Sequence, residues 1–155
     1  MATMREIGIY LGVIGFAAIM VILVDLTTRR RVRRLLAGRA AMTDEEFGAT
    51  FFPGRQDVAA RIRRIMATVV GIDLGGALPS DRFIEDLRIE EIGSLLTVEI
   101  IIDVEREFGI AITDEDAQRI LTVGQLVDCV ASKLDAQKGL PPGELHRLWD
   151  RELDM

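Results

Sequence analysis

Residues 93–120 read GSLLTVEIIIDVEREFGIAITDEDAQRI. A Gly-Ser pair opens a run in which Leu95, Val98, Ile101, Ile102 and Val104 are apolar, and Phe108 closes the pattern before Gly109. That spacing predicts a helix, and a glycine just past the last apolar position is a stop signal. Glu99, Asp103, Glu105 and Glu107 make the same helix acidic. Thr113 stands three residues before Asp116, which predicts a short capped helix over DEDAQRI. Ser94 has two readings. A serine is a good N-cap. It is also a hydroxyl held at a helix start, where unpaired N–H groups and the helix dipole favour an incoming phosphate.

Working outward, two more helices belong to the same body. Val58, Ile62, Ile65, Met66 and Val69 fall on one face of a helix, with Asp57 as its expected cap and Gly71 as its stop. Thr122 and Gln125 form a capping-box pair at the head of a last helix, whose apolar face is Val123, Leu126, Val127, Val130 and Leu134. Between the first and second helices, GIDLGGALPSDRFIEDL carries glycines and Pro79 that forbid regular structure, while Leu74, Leu78, Phe83, Ile84 and Leu87 can pin it to a core. No strand period and no internal repeat occurs. The expected fold is all-α, a four-helix bundle of about 80 residues, enough for one small core.

The 155-residue chain has a formal net charge of −6 that hides a split. Residues 1–42 carry seven Arg against Glu6 and Asp25, a net of +5, so residues 43–155 carry −11. An acidic body argues against nucleic acid, which needs cations to displace phosphate counterions. Residues 7–24 contain no charge. Eighteen residues make roughly 27 Å of helix, close to the hydrocarbon thickness of a bilayer. RRRVRR follows at 29–34. Arginines after the apolar run, rather than before it, fit a stop-transfer arrangement better than a cleaved signal. The expectation is a single-pass anchor in the inner membrane with the C-terminal body in the cytoplasm; a buried core helix is the other reading of the run. Gly8 and Gly12 form a GxxxG that would support a weak homodimer.

The expected divisions are an anchor at 1–28, a basic juxtamembrane segment and connector at 29–54, the helical domain at 55–138 and a tail at 139–155. In the connector Thr43 and Glu46 make another capping-box pair. Phe47, Phe51 and Phe52 beside it either cover part of the core or form an aromatic lip for a partner. In the tail, Leu145, Leu148 and Trp149 would share one side of a last turn. The single Cys129 excludes an intramolecular disulfide and any Cys-only metal site, and it reads as a small packed residue rather than a reactive thiol. His146, the one histidine, reads as a solvated tail residue. No Walker loop, GxGxxG or HExxH occurs. No catalytic residue and no metal site is expected, and the chain does not read as an enzyme.

ARIRRIMATVVGID (60–73), DRFIEDL (81–87), the stretch at 93–120 and LTVGQLVDCV (121–130) together resemble the acyl carrier protein family. The resemblance covers about residues 55–135. In that family a serine at the start of the second helix carries 4′-phosphopantetheine, usually in an Asp-Ser-Leu motif. Aligning SLLTVEI onto it implies attachment at Ser94, with Gly93 and Leu95 beside it. It also implies that Glu99, Asp103, Glu105 and Glu107 dock basic patches on a phosphopantetheinyl transferase and on acyl-loading or acyl-transfer enzymes of lipid or fatty-acid metabolism. A solvated acidic face is the plain alternative. Two departures stand out: Gly93 replaces the motif's aspartate, and RIEEIG makes the preceding loop about three residues longer. They leave a second reading, an unmodified interaction module that docks basic partners at the membrane.

Overall fold

A computed structural model describes residues 26–89 and 95–139. Six helices form among the described residues: α1 at 26–37, α2 at Asp44–Phe51, α3 at Gln56–Val70, α4 at Leu96–Phe108, α5 at Asp114–Arg119 and α6 at Val123–Lys138. Within them there is no strand, only an isolated antiparallel bridge between Arg82 and Thr122. The described part is therefore all-helical, as the resemblance implies.

Local chemistry sets most of the ends. Thr43 and Thr122 each close a reciprocal capping box, with Glu46 and with Gln125. Thr113 accepts from the Asp116 N–H at the start of α5. Gly71 (φ 68°) and Gly109 (φ 63°) end α3 and α4 in the left-handed conformation that glycine adopts without a side-chain clash. Asp57 does not cap α3. The helix begins at Gln56 after Arg55, and Asp57 sits inside the first turn, where a carboxylate still suits the dipole.

α3 and α4 run antiparallel. Arg61 near the start of α3 stacks 4.5 Å from the ring centre of Phe108, at the end of α4. Thr68, further along α3, lines a groove with Asp103, further back on α4. The C-terminal end of α6 joins the same end of the bundle as Phe108: Gln137 Nε2 donates to the Gly109 carbonyl at 2.9 Å. The opposite end therefore holds the close of α3, the start of α4 and the start of α6.

The core gathers Ile62, Met66 and Val70 of α3, Ile100 and Val104 of α4, and Val123, Leu126, Val127 and Val130 of α6. The long loop adds Ile72, Leu74, Ala77, Phe83 and Leu87. Ile84, expected to pin the loop, is exposed instead, and Leu78 is half-buried. Phe108 is also only half-buried, shared between the core and the Arg61 guanidinium.

The expected connector enters the same core. Val32 and Leu36 of α1 and Phe47 of α2 are fully buried there, which favours the core reading for Phe47; Phe51 is exposed and Phe52 half-buried. Arg63, only 2% exposed, joins α3 to α2 by donating to Asp44 Oδ1 at 2.7 Å and to the Met42 carbonyl at 2.8 Å, over the Phe47 ring. Backbones nearly touch at two glycines. A Cβ on Gly48 would lie 2.3 Å from the Gln56 carbonyl oxygen, and one on Gly76 would lie 2.4 Å from that of Leu36. Arg29 caps the last turn of α3 through the Val70 carbonyl. Asp81 is buried and accepts from Arg39 and from the Leu78 N–H, while its own carbonyl accepts from the Val123 N–H at 3.1 Å.

The expected single-pass location in the inner membrane is corrected. Among the described residues no helix is long and apolar enough to cross a membrane. The arginine segment after the apolar run, read as juxtamembrane, is a helix whose Val32 and Leu36 are buried in the bundle. The run at 7–24, with Gly8 and Gly12, lies outside the described residues, as do Leu145, His146, Leu148 and Trp149 of the tail.

Candidate functional site

Gly93 and Ser94 lie outside the described residues; Leu95, the next residue in the chain, is 74% exposed. It occupies the cap position of α4 and makes no side-chain cap hydrogen bond, because leucine has no acceptor to offer. The Leu95 side chain thus offers no acceptor to the first-turn N–H groups at the positive end of the helix dipole. On the approach, Arg88 takes a left-handed φ of 49°, the one non-glycine residue among those described to do so.

From this start an apolar ridge runs along the solvent side of α4. Leu95, Val98 (54% exposed) and Ile102 (47%) follow one another at helical spacing. They belong to the apolar pattern that predicted the helix. α4 is apolar nearly all round, so periodicity did not settle which side packs. The buried stripe is Ile100 and Val104, with Leu96, Ile101 and Phe108 packed against it.

The four acidic residues of α4 divide by their partners. Glu99 is exposed and has no ion pair or side-chain hydrogen bond among the described residues. Asp103 pairs with Arg106 at 2.7 Å. Glu107 accepts from Arg61 Nη2 at 2.6 Å and from its Nε at 2.9 Å. Glu105 turns inward and accepts from the Ile112 N–H at 2.6 Å, which holds the segment after Gly109 in place. A docking role is therefore open to Glu99 without structural cost, while Glu105 and Glu107 also brace the fold.

Between α4 and α5 lies an apolar cleft of about 150 Å³ that the sequence did not reveal. Thr97, Val98, Ile100 and Ile101 form one wall, with Ile112, Ala117 and Ile120 opposite. Phe83 and Leu126 also line it, and Asp114 is its one charged residue. Nothing local marks these positions. The cleft arises because the short α5, which buries no residue of its own, does not seal the side of α4. On the far side of α5, Asp116 pairs with Lys133 at 2.8 Å, and this hydrogen bond holds the Asp116 carboxyl below its usual range. Cys129 nearby is half-buried, and burial pushes its thiol pKa up, so little thiolate forms near neutrality.

Five helices thus share one core, with an exposed helix start and an apolar cleft beside it. Residues 60–130 match the family described as the phosphopantetheine attachment site, a match consistent with an acyl-carrier-like family. Such carrier domains are generally non-catalytic, and they interact with phosphopantetheinyl transferases and acyl-handling enzymes. The match implies covalently attached 4′-phosphopantetheine. The surroundings fit that group. The positive end of the α4 dipole, beside exposed Leu95, suits its phosphate, and the cleft beside it is lined almost entirely by apolar side chains.

Proposed function

We propose that the chain carries acyl groups as thioesters on 4′-phosphopantetheine attached at Ser94, and that partner enzymes do the chemistry. When bound, the group supplies a thiol on a long flexible arm. The residues of the domain present and shelter. Leu95, the residue after Ser94 in the chain, is exposed at the head of α4, where the helix dipole favours a phosphodiester. Leu95, Val98, Ile102 and Glu99 offer an apolar, acidic surface to basic patches on the loading enzymes. Exposed charge of this kind steers brief encounters more than it adds affinity.

The cleft between α4 and α5 carries the acyl reading. Val98 belongs both to its wall and to the exposed ridge, so the cleft opens beside the start of the helix. A dry apolar cavity of about 150 Å³ holds a benzene-sized molecule. It is well under the roughly 300 Å³ typical of enclosed drug-sized ligands. A short or slender acyl chain fits better than a bulky cargo.

Incubation of the full chain with coenzyme A and a broad-range phosphopantetheinyl transferase, followed by intact-mass measurement, tests this. One phosphopantetheine adduct is expected on the wild type and none on Ser94→Ala. An adduct that persists in Ser94→Ala would move the attachment site. Gly93 in place of the motif's aspartate favours the second reading, an unmodified docking module. On that reading both wild type and Gly93→Asp stay unmodified.

A further inference from the structure

We propose that the basic face of α1 docks on the apolar, acidic face of α4 in a second copy of the chain, giving a salt-sensitive head-to-tail association. α1 turns Thr28, Val32 and Leu36 inward. Opposite them stand Arg30, Arg31, Arg33 and Arg34, all exposed and none in an ion pair among the described residues. Arg29 and Arg39 of the same segment are engaged inside the molecule, with the Val70 carbonyl and with Asp81. Those contacts and the close approach of Leu36 to Gly76 fix the helix, so the four outer cations are left to an external anion.

The two faces match in sign. Leu26 and Leu35, 45% and 43% exposed, lie towards the two ends of α1 and half a turn apart around it. Nine residues of helical rise set them about 13 Å apart. On α4 the ridge from Leu95 to Ile102 spans about 10 Å by the same rise. Glu99 lies along it, and exposed Asp114 shares the cleft with Val98; neither carboxylate has an ion pair among the described residues. Four exposed arginines on one helix face meet an apolar ridge beside two carboxylates. A second copy is the favoured occupant because it carries −11 over residues 43–155, with Glu99 and Asp114 exposed on its α4–α5 side. Since the two faces differ, the contact is heterologous, and it closes only as a ring or as a pair of reciprocal contacts.

The association does not require modification of Ser94. Only its consequence, competition with enzyme docking on α4, rests on the reading above, so Ser94→Ala should associate like wild type. The test is sedimentation velocity of the full chain across a concentration series. It is run at low salt and again at about 1 M, where charges are screened within about 3 Å. Wild type should associate at low salt and much less at high salt. Arg30→Glu/Arg34→Glu alone and Glu99→Arg/Asp114→Arg alone should each lose most of that association, with unchanged circular dichroism. An equimolar mixture of the two variants should regain it, because the acidic α1 of one meets the basic α4 of the other. If a variant fails to fold, Arg30→Gln/Arg34→Gln replaces it. Association of Arg30→Glu/Arg34→Glu equal to wild type, or a mixture no more associated than its components, overturns the proposal. So does a wild type that stays monomeric at low salt, which would leave the arginines to an unrelated acidic partner.

Discussion

Leu36→Ala should cost the domain about 2–5 kcal/mol, the usual range for truncating a buried leucine. Leu36 is 4% exposed and packs in the main core with Val32 and Met66. Burying a leucine side chain is worth about 1.5–3 kcal/mol in transfer alone. The rest of the cost depends on how far the site can collapse. Here it can collapse little, because the Leu36 carbonyl already lies against Gly76 and Arg39 anchors the next turn. Leu35, its neighbour, is 43% exposed and serves as the control. Leu35→Ala should stay within about 0.5 kcal/mol, as surface substitutions usually do. Urea unfolding followed by circular dichroism measures both, with the slope m checked for constancy. For a domain of this size, each kcal/mol should also lower Tm by about 4 °C. A Leu36→Ala loss under 1 kcal/mol, or equal losses for the two, would mean that α1 is a loose lead-in rather than part of the core.

Gly48→Ala and Gly76→Ala should each destabilise by about 1–3 kcal/mol, because the added methyl meets backbone that cannot yield cheaply; a stabilised Gly48→Ala in calorimetry would show that helix propensity outweighs the contact. Glu105→Ala should cost about 1–3 kcal/mol by leaving the Ile112 N–H unpaired, while Glu99→Lys should leave the melt unchanged and weaken binding to a basic partner enzyme. Equal effects of the two on stability would erase that division. Asp116 tests the pH response. Its folded-state pKa lies below the ordinary value of 3.8, so its contribution is present above 3.8 and lost as pH falls through the lower folded value. Asp116→Asn and Lys133→Met should therefore both flatten the stability curve in the acid range, and an unchanged curve in either would contradict the assigned cause.

The sequence was most informative where structure depends on neighbours along the chain. Thr43, Thr113 and Thr122 cap, and Gly71 and Gly109 stop, through hydrogen bonds spanning a few residues. It was least informative where two faces of one helix look alike. α4 is apolar on both sides, so Leu95, Val98 and Ile102 could not be told from Ile100 and Val104 without knowing where α3 lies. α1 was obscured by its arginines. The signal was Val32 and Leu36, two apolar positions four apart within a basic stretch, and an uncharged run just before them pointed to another environment. The cleft and the pairing of Glu105 and Glu107 are tertiary facts, set by distances between elements that are separate in the chain.

Asp81 makes a prediction about how the domain opens. One buried carboxylate holds Arg39, just past the end of α1, and the Leu78 amide of the loop, and the Asp81 backbone carbonyl takes the Val123 amide at the head of α6. Releasing the Arg39 or Leu78 proton strands the charge away from water, and releasing the Val123 amide leaves a backbone carbonyl of the same buried residue without its donor. In native-state hydrogen exchange, the Leu78 and Val123 amides should therefore report a single opening free energy. α1, the long loop and the first turn of α6 would then behave as one cooperative unit, although more than 80 residues of chain separate their ends.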